Sequence, residues 1–249
     1  MAHLFQVLLY QPIFNLFVAM YDVIPDIGVI ILIITLLIKL ALHPLTHKSI
    51  KAQKEMQELQ PKLEKIKADH KGDQQRIAQE TMTLYKEHKI NPMGSCLPML
   101  IQLPVFIALY YVLRGLFGEF QAELLYAFVP NPEMISPMSL GVFDLSKTSI
   151  VLAVLAAGTQ FFSAKLMQAK RPPKAAGEAG KDEGMASMMN KQMLYFMPFM
   201  TLLIGLQFPG GLTLYWFLST LFMLLQQLWI FKKTTPKDGT GVVEGTLVE

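Results

Sequence analysis

The feature that most limits what this chain can become is a series of apolar runs, nearly free of charge and separated by blocks in which the charges are concentrated. The clearest is IGVIILIITLLIKLAL, from Ile27 to Leu42, where Lys39 is the single charged residue. Sixteen residues reach ~24 Å at 1.5 Å per residue, slightly short of a ~30 Å hydrocarbon core, so flanking residues or local bilayer thinning must make up the difference. The same reading places a first span at 27–45, a second at 93–117, a third at 149–167, and a fourth and fifth at 194–231. Pro209-Gly210-Gly211 turns the fourth tightly into the fifth, and His43-Pro44 closes the first. Charged residues make up 16% of the chain against about 25% in a typical soluble domain, which fits a bilayer better than water.

Residues 1–26 are apolar but interrupted by Gln6, Gln11, Pro12 and Asn15, and read as an external amphipathic segment lying in the membrane interface. No positively charged leader region, small-residue cleavage site or lipobox cysteine is present, so a removable signal peptide is not expected. Residues 46–92 change character completely. Met56, Leu59, Leu63 and Ile66 fall at steps of three and four, then Ile77, Thr81 and Leu84 repeat the pattern, which predicts a solvated helical hairpin. An external loop at 118–148, a flexible linker at 168–193 and a disordered tail at 232–249 complete the reading. The hairpin carries ten Lys and Arg residues, and the stretch from Lys165 to Lys191 six more. The opposite side shows only Arg114 and Lys147, so the N-terminus is expected outside and the C-terminus in the cytoplasm.

Few residues in the spans can carry chemistry. Two readings fit Lys39: its stem snorkels to the headgroups, or its ammonium faces a wet groove between helices. Gln102, Thr159, Gln160, Ser163 and Thr213 could line such a groove, and the same residue types also serve as packing glue between helices. Trp216 lies well inside the fifth span with Tyr215, where its indole N–H needs a partner. Met189, Met193, Met197 and Met200 read either as lipid-facing packing or as an adaptable apolar surface for varied partners. His43 and His47 have a spacing that can hold zinc, but with no Glu between them and with Pro44 in the way, no metal site is expected. The lone Cys96 excludes an internal disulfide. No intramembrane Asp pair, Ser-Lys dyad or phosphate-binding Gly loop is present, so neither a membrane protease nor an ATP-driven pump is indicated.

KLALHPLTHKS at the first span's exit, LQPKLEKIK in the hairpin, QQRIAQETMTLYKEHKINPMGSCLPMLIQLPVFIALYYVL through the second span and FPGGLTLYWFLSTLFMLLQQ across the last turn resemble the YidC insertases of bacterial inner membranes. The resemblance runs from about residue 27 to 233. It implies an all-α integral membrane protein with five helices around a hydrophilic groove open to the cytoplasm and the lipid. It also implies a non-enzymatic insertase and chaperone, with no cofactor. Nascent membrane proteins would be its substrates. The ribosome, the Sec translocon and the bilayer are its implied partners, with no specific nucleic-acid recognition. The family's first-span cation, usually Arg, matches Lys39, its groove tryptophan matches Trp216, and Gln160 lies near its third-span glutamine. The large external domain of Gram-negative members and the lipoprotein signal of many Gram-positive ones are not seen. A solute transporter or a structural subunit is the alternative. The former usually shows repeated halves, and no convincing repeat is found.

Overall fold

In a computed structural model of the chain, residues 3–118, 120–132, 134–167 and 192–233 are described, with the backbone alone at 92–99, 193 and 233. Helix α1 covers His3–Val23 and contains a π-helical turn at Gln6–Tyr10. That wider turn meets Pro12 in the first turn of the next segment, where a missing N–H costs little. The chain then leaves helical geometry at Ile24-Pro25, and the Asp26 carboxylate accepts from the amides of Gly28 and Val29 to start α2, Ile27–Glu58.

Helix α2 does not break at His43-Pro44 but continues to Glu58, so one helix holds both the apolar run and the start of the charged stretch that follows it. Pro44 removes one intrahelical bond, but Thr46 Oγ1 lies 3.1 Å from the carbonyls of both Leu42 and His43 and supports the turn around it. Past Glu58 the chain folds as α3, Gln60–Asp69, and α4, Gln74–Glu87, joined by a turn in which Gly72 takes a positive φ of 88°. Leu59, Leu63, Leu84 and Ile90 bury together with Met56, Ile66 and Tyr85, a small core separate from that of the spans.

Helix α5 covers Pro92–Phe117, α6 Ile150–Leu166, α7 Met197–Gly205 after a π-helical turn at Gln192–Phe196, and α8 Gly210–Lys233. By length and composition His3–Val23, Ile27–Glu58, Leu100–Phe117 and Gly210–Lys232 are long and apolar enough to cross a membrane, and Ile150–Leu166 and Leu194–Gly205 are shorter apolar helices. The result is a mostly helical membrane protein with four to six apolar helices. The region expected as plain loop also holds a short antiparallel pair, β1 Met138–Ser139 and β2 Phe143–Asp144, closed through Leu140 and Gly141 at positive φ. The linker, apart from its last two residues, and the tail beyond Lys233 lie outside the described residues.

The bundle has two unlike ends, called here the loop end, beside residues 118–149, and the hairpin end, beside α3 and α4. At the loop end Tyr10, Phe14, Phe17 and Val18 of α1 bury against Ile27, Ile30 and Ile31 of α2, Leu109 and Leu113 of α5, and Leu212 and Tyr215 of α8. The opposite face of α1 exposes Leu4, Leu8, Leu16 and Val23, so this helix is apolar on both sides. Helix α6 buries a face of small side chains, Ala153, Ala156 and Ser163. A Cβ on Gly205 would stand 3.2 Å from that of Ala153, the close approach that small residues allow between membrane helices.

Candidate functional site

Helices α2 and α8 lie side by side and parallel. A Cβ on Gly211 would stand 3.2 Å from Ile31 Cδ1, and Thr46 Oγ1 is 3.2 Å from Gln226 Oε1, so a constant offset of 180 residues relates the two helices. This register sets Lys39 level with Ser219. Lys39 is half-buried, on the stripe of α2 that begins with Ile31 and the fully buried Thr35. Among the described residues no carboxylate pairs with it. Exposed Leu36, Leu37 and Leu40 flank it. A half-buried ammonium with apolar neighbours and no counter-ion is a site of unspent positive charge.

The layer beside it is polar. Gln102 of α5 donates through its amide to the Tyr215 hydroxyl, and the Ser219 hydroxyl bonds to Tyr215 as well. Trp216, one residue on, is half-exposed and packs edge-on against Phe106 at 5.5 Å. Of the residues singled out from sequence, Gln102 and Trp216 therefore meet at the α5–α8 contact, one turn from the level of Lys39. Others serve different contacts. Thr213 is fully buried, with its hydroxyl within 3.2 Å of the Gly205 carbonyl and 3.3 Å of that of Pro209, tying α7 to α8. Thr159 Oγ1 lies 2.9 Å from the carbonyls of Leu155 and Ala156 in its own helix. Gln160 is half-buried beside it, and Ser163 Oγ donates to Gln227 Oε1 at 2.9 Å.

Met197 is exposed and Met200 half-buried, whereas Met189 and the side chain of Met193 lie outside the described residues. His43 and His47 stack at 5.9 Å, since the helix runs through Pro44, and among the described residues no group of three potential metal ligands assembles. Sequence reasoning passed over Gln226 and Gln227, Thr46, Ser219 and the second function of His47 as a partner of Trp229. The adjacent pair of amides near the end of an otherwise apolar span was the available signal.

The model of the 60Kd inner membrane protein family matches residues 19–237, most of the chain. The chain belongs to this family, the YidC membrane protein insertases. The YidC insertase of Clostridium tetani is 41% identical over 202 residues, covering 81% of this chain and 80% of that protein. That of Fusobacterium nucleatum is 38% identical over 208 residues, covering 84% and 87%. The YidC insertase of an Anaeromyxobacter species is 36% identical, and there the match spans 83% of this chain but 33% of the relative. This chain thus spans most of some relatives and about a third of others. A crystal structure of an active YidC insertase with its first transmembrane domain resolved superposes with a TM-score of 0.57 at 26% identity, over 89% of this chain and 45% of the other. The family is one of insertases and not of enzymes.

Proposed function

We propose that this chain inserts nascent proteins into the bacterial inner membrane without nucleotide, by drawing a short acidic segment toward Lys39 in a groove open to the cytoplasm and to the lipid. The observation that carries the reading is Lys39 itself: half-buried, unpaired among the described residues, level with Ser219 and one turn from the Gln102–Tyr215 pair that Ser219 joins. An Asp at the centre of a spanning helix costs roughly 2.5–3.5 kcal/mol to insert. A carboxylate about 4 Å from an ammonium gains roughly 4 kcal/mol at an effective dielectric of 20. The two are of one size, so a single buried cation offsets the cost of about one acidic residue in transit.

Five spans, with the N-terminus outside and the charged hairpin and C-terminus cytoplasmic, support that path, because Lys39 then stands nearest the side from which substrates arrive. Helix α1 lies in the external interface in this reading, with its core face on the loop end and its second apolar face in lipid. Met197 and Met200 supply a pliable wall for spans of varied sequence, and Lys and Arg of the hairpin dock an anionic ribosome, with the Sec translocon as a further partner.

The test is insertion of a single-span substrate with an acidic external tail, in cells depleted of their own insertase. Lys39→Ala is expected to lower insertion about tenfold or more, and Lys39→Arg to retain it, since the attraction needs charge and not a planar fork. Full activity of Lys39→Ala on this substrate defeats charge attraction and leaves hydrophobic sliding as the mechanism.

A further inference from the structure

At the hairpin end, α2 and α8 carry buried polar groups that the fold leaves unsatisfied. His47 Nδ1, Gln226 Nε2 and Gln227 Nε2 are shielded from solvent and have no hydrogen-bond partner. Gln227 is completely buried. Each glutamine has its amide oxygen against a hydroxyl, Thr46 for Gln226 at 3.2 Å and Ser163 for Gln227 at 2.9 Å, so the free end of each is the NH2. The unfilled capacity of this layer is therefore chiefly for donating, and a ligand that satisfies it must bring acceptor oxygens.

The position matters as much as the chemistry. Thr46 lies seven residues beyond Lys39 along α2, ~10 Å closer to the hairpin end. Exposed Lys48, Lys165 and Lys232 stand at that end too. A segment rich in carbonyl and carboxylate oxygens, approaching Lys39 from the hairpin side, reaches the level of these donors first and gains them as the helices around them part.

We infer that Gln226, Gln227 and His47 form a docking layer for the acceptor oxygens of the polypeptide segment being inserted, a station on the way to Lys39; this rests on the insertase reading above. Transient bonds to the layer replace water lost by the segment's backbone and carboxylates before the Coulomb attraction of Lys39 takes over. Buried groups held unsatisfied in the resting protein are suited to that, because they gain partners only when the segment is present.

The experiment uses the full chain carrying Gln226→Met with Gln227→Met, in cells depleted of their own insertase, with acidic-tailed and neutral-tailed single-span substrates. Insertion of the acidic tail is expected to fall about tenfold, and of the neutral tail by no more than about threefold, while the thermal midpoint of the purified protein holds or rises. Unchanged insertion with a held or raised midpoint overturns the inference and makes these amides packing alone. Where the midpoint falls instead, disulfide trapping decides. A cysteine at Thr46→Cys or Ser219→Cys, in a Cys96→Ser chain, is tested against a cysteine scanned through the acidic segment of a ribosome-stalled substrate. Trapping at both positions supports the layer, and trapping at Ser219→Cys alone overturns it. A native chain that inserts neither substrate overturns the insertase reading itself, a result distinct from any of these.

Discussion

The two ends of the bundle treat their polar groups in opposite ways. At the loop end the Asp26 carboxylate accepts from the amides of Gly28 at 2.9 Å and Val29 at 3.1 Å, and also from Ser139 Oγ at 2.8 Å and the Leu140 amide at 2.6 Å. The same carboxylate thus caps α2 and bolts the β1–β2 hairpin onto it. The amide of Gly210 donates to the Lys147 carbonyl and that of Gly211 to the Leu145 carbonyl, both at 2.8 Å, so the loop also closes over the start of α8. Tyr21 OH accepts from the Ser136 amide, and Asn15 joins α1 to Leu124 and Tyr126. At the hairpin end three buried nitrogens on α2 and α8 go without partners. A buried unsatisfied group costs about 1–3 kcal/mol, whereas a satisfied one contributes about 1 kcal/mol. One end is therefore fastened by satisfied bonds and the other is not, which is the polarity that the proposed groove requires.

Substitution at the two ends should consequently change stability in opposite directions. The largest effect is expected at Gly28, where an added Cβ would stand 2.1 Å from Ser139 Oγ and 2.8 Å from Ser139 Cβ. Gly28→Ala must push the β hairpin off α2, and a thermal midpoint lowered by several degrees, with faster proteolysis between 118 and 149, is the expected result. Asp26→Ala comes next. It loses the cap, at about 1 kcal/mol, and leaves two loop donors without their acceptor, for a total of roughly 2–4 kcal/mol. Asp26→Asn should cost less, because one amide oxygen keeps part of the set. At the hairpin end Gln227→Met removes an orphan amide while keeping the volume, and the Ser163 hydroxyl that loses its acceptor can turn back to a carbonyl of its own helix, so a midpoint unchanged or raised by the equivalent of up to about 1 kcal/mol is expected. A loss there as large as at Asp26, measured by the same thermal scan, would dissolve the contrast.

Much of this was legible in the residues, for physical reasons that also explain the rest. A span needs only a run of apolar side chains, so 27–42 and 212–231 announced themselves, and the seam of Met56, Leu59, Leu63 and Ile66 reappears in the hairpin's small core. That the helix runs on through Pro44 was not legible, because local chemistry disfavours helix there, yet packing of α2 on α8 on both sides of it and the Thr46 hydroxyl hold the helix together. Lys39 stood out as a charge among leucines. Its neighbours did not, since Gln102 and Tyr215 are separated by 113 residues and nothing local couples them. Thr213 looked like a groove residue by type, but only the tertiary structure shows its hydroxyl turned to Gly205. Gln226 and Gln227 did not stand out because partnership, or its lack, is a property of the folded chain.

The smallest expected effect tests how firmly the loop end is shut under acid. Burial alone would raise the Asp26 pKa, but the bonds from Leu140, Ser139, Val29 and Gly28 outweigh it and hold the carboxyl below its ordinary value. Asp144 is lowered to about 2, chiefly by the Ser146 hydroxyl and then by Lys147, whose ammonium is 3.0 Å away. A carboxyl depressed in the folded protein contributes stability that is fully present above its unfolded pKa of about 3.9 and is lost as pH falls through the folded value. From pH 7 down to about 5 the loop end should therefore show no change in hydrogen exchange at the amides of Leu140, Gly210 and Gly211, once the intrinsic pH dependence of exchange is removed. Below about pH 4 the Leu140 amide, whose acceptor is Asp26, should lose protection first. Gly210 and Gly211, bonded to backbone carbonyls that do not titrate, should follow only as the hairpin lifts. Simultaneous loss at all three in wild type would mean that the loop opens as one unit, with Asp26 no more than one fastening among many.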